Sequence, residues 1–162
     1  MDIGSSALVI ARYREDISWS DGLKRIVIQK DEDMPNIGYE PASFLFFIIR
    51  DYMKLEGEYI FVQGNPFDHN NPLKPHGRKP YKCKPDGSPQ DPNLDIHAVC
   101  KELDLPLLDE YTFEAGGQFK TTASQIRKRP WEWYVKALSL SIEGKNPWVF
   151  ERLWPLIVKN MV

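Results

Sequence analysis

Tyr59-Ile-Phe-Val-Gln-Gly-Asn-Pro-Phe-Asp-His69 is the stretch on which the fold turns. Its first four residues are apolar or aromatic and have the length of a short buried strand. The strand must stop at Gln63-Gly64-Asn65-Pro66, because proline lacks the N–H that an interior ladder needs. Asp68 and His69 follow at once. In open α/β sheets ligands sit outside the carboxyl ends of the strands. A buried strand that ends in a polar loop therefore marks both a sheet and a candidate site.

Working outward, residues 7–11 (Ala-Leu-Val-Ile-Ala) form a second continuous apolar run, as expected for a strand covered on both faces. Residues 25–29 give a third strand. Pro41 suits the first turn of a helix, where its missing N–H costs nothing. The spacing predicts that helix over 42–53, with Phe44, Leu45, Ile48, Ile49 and Tyr52 on one face. Strand, strand, helix, strand is an α/β order. Further on, Asp95 caps an expected helix through Leu103, and 111–113 reads as a short strand. Residues 121–127 read as a short helix capped by Thr121 or Thr122. Residues 131–142 and 149–158 read as the last two helices. Residues 70–93 read as one long irregular segment, rich in proline and glycine, with a basic cluster at Lys74, Arg78, Lys79, Lys82 and Lys84. Loops of that length are often lids or binding loops.

The chain has 162 residues, enough for one domain of residues 1–162 with a real core. A net charge of −2 gives no field that would draw in nucleic acid. Two cysteines, Cys83 and Cys100, make no disulfide framework and read as reduced thiols. No apolar run approaches the ~20 residues of a membrane span, and no signal peptide is evident. The expectation is a cytoplasmic protein.

Four constellations carry candidate chemistry. Asp68 and His69 offer a hard oxygen and a borderline nitrogen, which with substrate phosphates suit Mn²⁺ or Mg²⁺. The same residues also suit a plain turn. Arg12-Tyr13-Arg14-Glu15-Asp16 closes the first strand and would lie beside the Asp68 loop, either to contact a nucleoside or as a solvated loop. Gly116-Gly117-Gln118 can cradle a sugar or phosphate through backbone N–H groups, or make a tight turn. Glu151, on the last helix, is a candidate general base or an ion-pair partner of Arg152 or Lys145. Asp95 and His97 could ligate a metal, although Asp95 is better explained as a cap. His76 in the basic segment could meet a phosphate.

Taken together, residues 13–19, 36–40, 61–69 and 116–119, with Arg129-Pro130 and Glu151-Arg-Leu-Trp154, resemble a family of small glycosyltransferase-like domains of unknown function. Gln-Gly-Asn-Pro-Phe-Asp-His is the most specific piece. The resemblance implies a single-domain GT-A-like (Rossmann-like) α/β fold with a mixed, mostly parallel sheet flanked by helices. It implies a nucleotide-diphosphate-sugar donor, an unknown hydroxyl acceptor and a divalent metal. On that mapping Asp68 and His69 hold Mn²⁺ or Mg²⁺, and Arg12, Tyr13 and Asp16 contact the nucleoside. Gly116, Gly117 and Gln118 border the transferred sugar, and Glu151 is the base. The chain has Asn65 near where such enzymes place the first carboxylate of Asp-x-Asp. Arg78, Lys79 or Lys82 would then neutralise the diphosphate. Two alternatives are a binding module without catalysis on the same fold and a metal-dependent hydrolase built on Asp68, His69 and Asp95 or His97.

Overall fold

A computed structural model describes residues 3–68 and 80–158. His69, His76, Arg78 and Lys79 lie outside the described residues. The main sheet is formed by β1 (Ala7–Arg12), β2 (Arg25–Gln29), β3 (Glu58–Gln63) and a late strand, Phe119–Thr122. The order across it is β2, β1, β3, then the late strand. The first three run parallel, with Val9 beside both Ile26 and Phe61. The late strand joins β3 antiparallel, Phe61 facing Phe119. The chain is therefore mixed α/β with a mostly parallel four-stranded sheet, as the runs at 7–11, 25–29 and 59–62 predict.

Both faces of the two central strands are buried. Ala7, Val9, Ala11, Tyr59 and Phe61 point into the large core, whereas Leu8, Ile10, Ile60 and Val62 point to the opposite face. This is the alternation expected of a pleated strand. Helix α1 (Tyr39–Asp51) brings Phe44, Leu45, Phe47 and Ile48 to the large core. The other face is covered by Ile17, Trp19 and Leu23 from the β1–β2 connection. Phe44, Phe61, Phe119 and Trp154 form an aromatic cluster, with Phe119 stacked between Phe61 (4.5 Å) and Trp154 (4.4 Å) and Phe44 meeting it edge-on.

Two strands depart from the sequence reading. The segment expected to be irregular over 70–93 contains β4 (Tyr81–Cys83), which pairs antiparallel with β5 (Tyr111–Phe113). The partner lies some thirty residues away in sequence, so no local pattern announces it. The late strand, β6 (Phe119–Thr122), occupies residues partly assigned to a helix. The helix that follows, α3, is only Ala123–Ile126, and its cap is Thr122, whose hydroxyl accepts from Gln125 N. Helix α2 (Ile96–Glu102) is capped by Asp95 as expected. The last two helices are α4 (Trp131–Ser141) and α5 (Asn146–Val158). Helix α5 begins ahead of the expected Val149, because residues 146–148 already wind into its first turn. Cys83 and Cys100 are free and buried, and burial pushes both thiols up.

Candidate functional site

A cavity of about 350 Å³ opens at the carboxyl end of β3. Gln63, the last residue of β3, forms part of its floor. Tyr39, Glu40 and Pro41 reach it from the start of α1, and Pro147, Trp148 and Glu151 from α5. Gly116 and Gly117 come from the β5–β6 connection, and Asp91 from the segment after β4. Five parts of the chain thus meet where the parallel strands end, the place such sheets use for ligands.

Glu151 is held from two sides. Gly116 N donates to Oε1 at 2.7 Å, and Arg152 Nη1 donates to Oε2 at 3.2 Å. The two glycines take φ of 78° and 60°, values that a residue with a Cβ rarely adopts. A Cβ on Gly117 would also rest 3.5 Å from Glu151 Cγ and 3.7 Å from Trp154 Nε1. The turn therefore brings bare backbone against the acid.

Arg152 is only 3 % exposed and is heavily committed. It donates through Nη2 to Asp91 Oδ2 at 2.6 Å and through Nη1 to Trp148 O at 2.8 Å. Its guanidinium also stacks over the Phe113 ring, 4.6 Å from the centroid. It ties Asp91 and Glu151 into one wall of the cavity.

Glu40, half-buried on another wall, has its carboxyl pushed above the ordinary range. Burial is the main cause; Glu15 and Glu151 add to it, and Lys30 opposes it. Lys30 is itself buried, donates to Ile37 O, and has its pKa lowered to about 8 by desolvation.

The rim is aromatic. Tyr39 and Trp148 lie 5.1 Å apart at a tilt of 53°, and Tyr39 is 59 % exposed. Tyr39 carries φ of 51°, directly after Gly38 at 68°. A left-handed non-glycine residue costs on the order of 1–2 kcal/mol and is kept only where its surroundings impose it. A Cβ at Gly38 would strike Ala42 Cβ at 2.5 Å, so the sharp entry into α1 depends on that glycine.

Of the residues picked from sequence, Glu151, Gly116 and Gly117 line the cavity. Gln118 sits just behind it, buried, with its Oε1 accepting from Gln63 N and its Nε2 donating to Pro66 O, both at 3.4 Å. Arg12 ends β1, and Tyr13 and Asp16 lie in the loop after it, which does run beside the loop after β3. Trp19 Nε1 donates to Gly64 O at 2.9 Å, and the Glu15 side chain lies against Gly64. None of the three is among the described residues lining the cavity. Arg12 donates to Glu15 O and Gln29 Oε1. Tyr13 N donates to Glu15 Oε2. Asp16 is exposed and accepts from Ser18 N and Oγ, bonds that lower its pKa. Asp68 is exposed and outside the cavity lining as well. Asp95 accepts from Ala98 N at 3.0 Å, and His97 Nε2 bonds Leu108 O at 2.9 Å. Among the described residues no group of three or more His, Cys, Asp or Glu side chains is arranged to hold a metal ion. No described helix is long and apolar enough to cross a membrane.

Tyr39, Glu40, Asp91 and Trp148 were not singled out from sequence. Tyr39 and Glu40 fall within the 36–40 motif, which was the available signal. Asp91 and Trp148 gave none, since their roles depend on long-range packing. Compared with protein-family models, curated proteins and solved structures, the chain has no significant match.

Proposed function

We propose that the protein is a glycosyltransferase-like enzyme of GT-A-like fold, which moves a sugar from a nucleotide-diphosphate donor to a hydroxyl acceptor, with Glu151 as general base. The observation that carries this reading is Glu151 itself, fixed by Gly116 N and Arg152 at a cavity on the carboxyl edge of a parallel sheet. In the reaction the acceptor oxygen attacks the anomeric carbon. The bond from that carbon to the diphosphate breaks, and its electron pair leaves with the diphosphate. The acceptor proton passes to Glu151. A general base typically contributes about 10²–10⁴-fold to such a step.

The described lining supports a sugar rather than a diphosphate in the cavity. It holds Glu40, Asp91 and Glu151 and no lysine, arginine or histidine. That surface suits a sugar and its hydroxyls and repels a diphosphate. The charge of the diphosphate would be met by Mn²⁺ or Mg²⁺ at Asp68 and His69 or by Arg78 and Lys79. A divalent metal would there stabilise the negative charge of the leaving group.

The test is thermal unfolding with a panel of UDP- and GDP-sugars, with and without Mn²⁺, paired with an assay of donor hydrolysis. A ligand of the native state must raise the melting temperature. The expected result is a rise with at least one donor, and donor hydrolysis that falls about 10²–10⁴-fold in Glu151→Gln. No shift with any donor and no hydrolysis would overturn the proposal. The acidic lining favours one second reading, a binding module on the same fold. A donor that shifts the transition yet is never cleaved would establish that reading instead.

A further inference from the structure

We infer that the cavity selects a sugar-like ring bearing a protonated amine, the Tyr39–Trp148 pair taking the ring and Glu40 the ammonium. This inference rests on the reading of the cavity as the sugar-binding end of the site. It adds the charge of the ligand, which that reading leaves open.

The first support is charge balance. Glu40, Asp91 and Glu151 all reach the cavity wall. Arg152 is spent on Asp91 and Glu151 and on the Trp148 carbonyl. Lys30 acts on Glu40 only from a buried position, with its ammonium donating to Ile37 O. Burial chiefly raises the Glu40 carboxyl, and the charges of Glu15 and Glu151 add to that. A cationic group entering the cavity meets at Glu40 a carboxylate that, among the described residues, has only the buried Lys30 as a nearby cation.

The second support is the rim. Tyr39 is exposed, bears a strained backbone, and stands beside Trp148. Paired aromatic faces accept the C–H side of a sugar ring, and they attract a cation by about 0.5–2 kcal/mol. Charge and rim point to the same ligand.

The test is calorimetric titration of the intact protein with glucosamine, glucose and N-acetylglucosamine, below neutral pH where the free amine is protonated. Glucosamine should bind about tenfold more tightly than the other two, the factor expected for about 1.4 kcal/mol. Glu40→Gln should erase that preference while leaving the fold intact by thermal unfolding. Trp148→Ala should weaken binding of all three. Equal affinity for the three sugars overturns the inference and leaves the sugar site standing. Mn²⁺ or Mg²⁺ alone displacing glucosamine, with the effect lost in Glu40→Gln, makes the cavity a metal site and also overturns it. No binding of any of the three, where a nucleotide sugar still raises the melting temperature, overturns the inference without touching the transferase reading.

Discussion

Glu40 sits in the first turn of α1, where the helix dipole favours an anion. Its carboxyl is nonetheless raised, chiefly by burial, with Glu15 and Glu151 adding repulsion against the partial relief of Lys30. A carboxyl whose folded pKa lies above its unfolded value binds more protons in the folded state across the interval between the two. Stability from this group is therefore present at low pH and declines as pH rises through the folded pKa. Removing the charge should remove the decline. Glu40→Gln is expected to be more stable than the parent at neutral pH, and the difference should vanish below about pH 3, where the carboxyl is neutral in both the folded and unfolded chain. Urea unfolding at several pH values reads this directly. Equal stability at neutral pH would show that Glu40 carries no such cost. If the gain in stability appears together with loss of amine binding, the charge is retained for the ligand rather than for the fold.

At the scale of elements, capping separates two functional readings. Asp95 ends the chain before α2 and accepts from Ala98 N, which satisfies one of the helix's unpaired N–H groups. Asp95→Ala should cost about 1 kcal/mol in chemical denaturation. It should leave donor hydrolysis per folded molecule unchanged. A loss of hydrolysis without a loss of stability would move Asp95 into the chemistry and revive the metal-dependent hydrolase. The same elements show what the sequence could and could not disclose. Strands β1 and β3 were legible because they are apolar without interruption, being buried on both faces. Helix α1 was legible from the 3.6-residue spacing of its apolar face, although it starts earlier than Pro41 suggests. Strand β6 was hidden because Thr121 and Thr122 also fit a helix start, and Thr122 does cap α3. Strand β4 was hidden among prolines, glycines and lysines, since only its distant partner β5 makes it a strand. The site divides in the same way. Glu151 and Gly116-Gly117 stood out locally, as an acid on an apolar helix and a paired glycine. Asp91 reaches the cavity through its pairing with Arg152, a contact across 61 positions that no spacing rule contains.

The molecule as a whole joins its two sheets through α5. Phe150 and Trp154 on that helix pack in the core with Phe44 and Phe119 of α1 and β6. On the same helix Arg152 grips Asp91 and covers Phe113 of β5. Buried residues from β1, β3, β4, β5, β6, α1, α2, α4 and α5 form one continuous cluster. A core shared by so many elements should melt as a unit. Calorimetry is expected to show one transition, with an unfolding enthalpy of about 110 kcal/mol near 60 °C for a chain of this length. The van't Hoff enthalpy should agree with the calorimetric one. Trp154 is the sharpest probe of this coupling, because its indole is buried between the main sheet and the Glu151 wall. Trp154→Ala should cost about 3–5 kcal/mol and lower the single transition without splitting it. A second transition in that variant would mean that the β4–β5 sheet holds its own structure once the α5 contact weakens. The cavity would then lie between two independently stable parts, and a ligand there would draw them together. A single transition instead makes the cavity walls part of one rigid core, so that a ligand bound at Glu40 and Glu151 must raise the melting temperature of the entire chain.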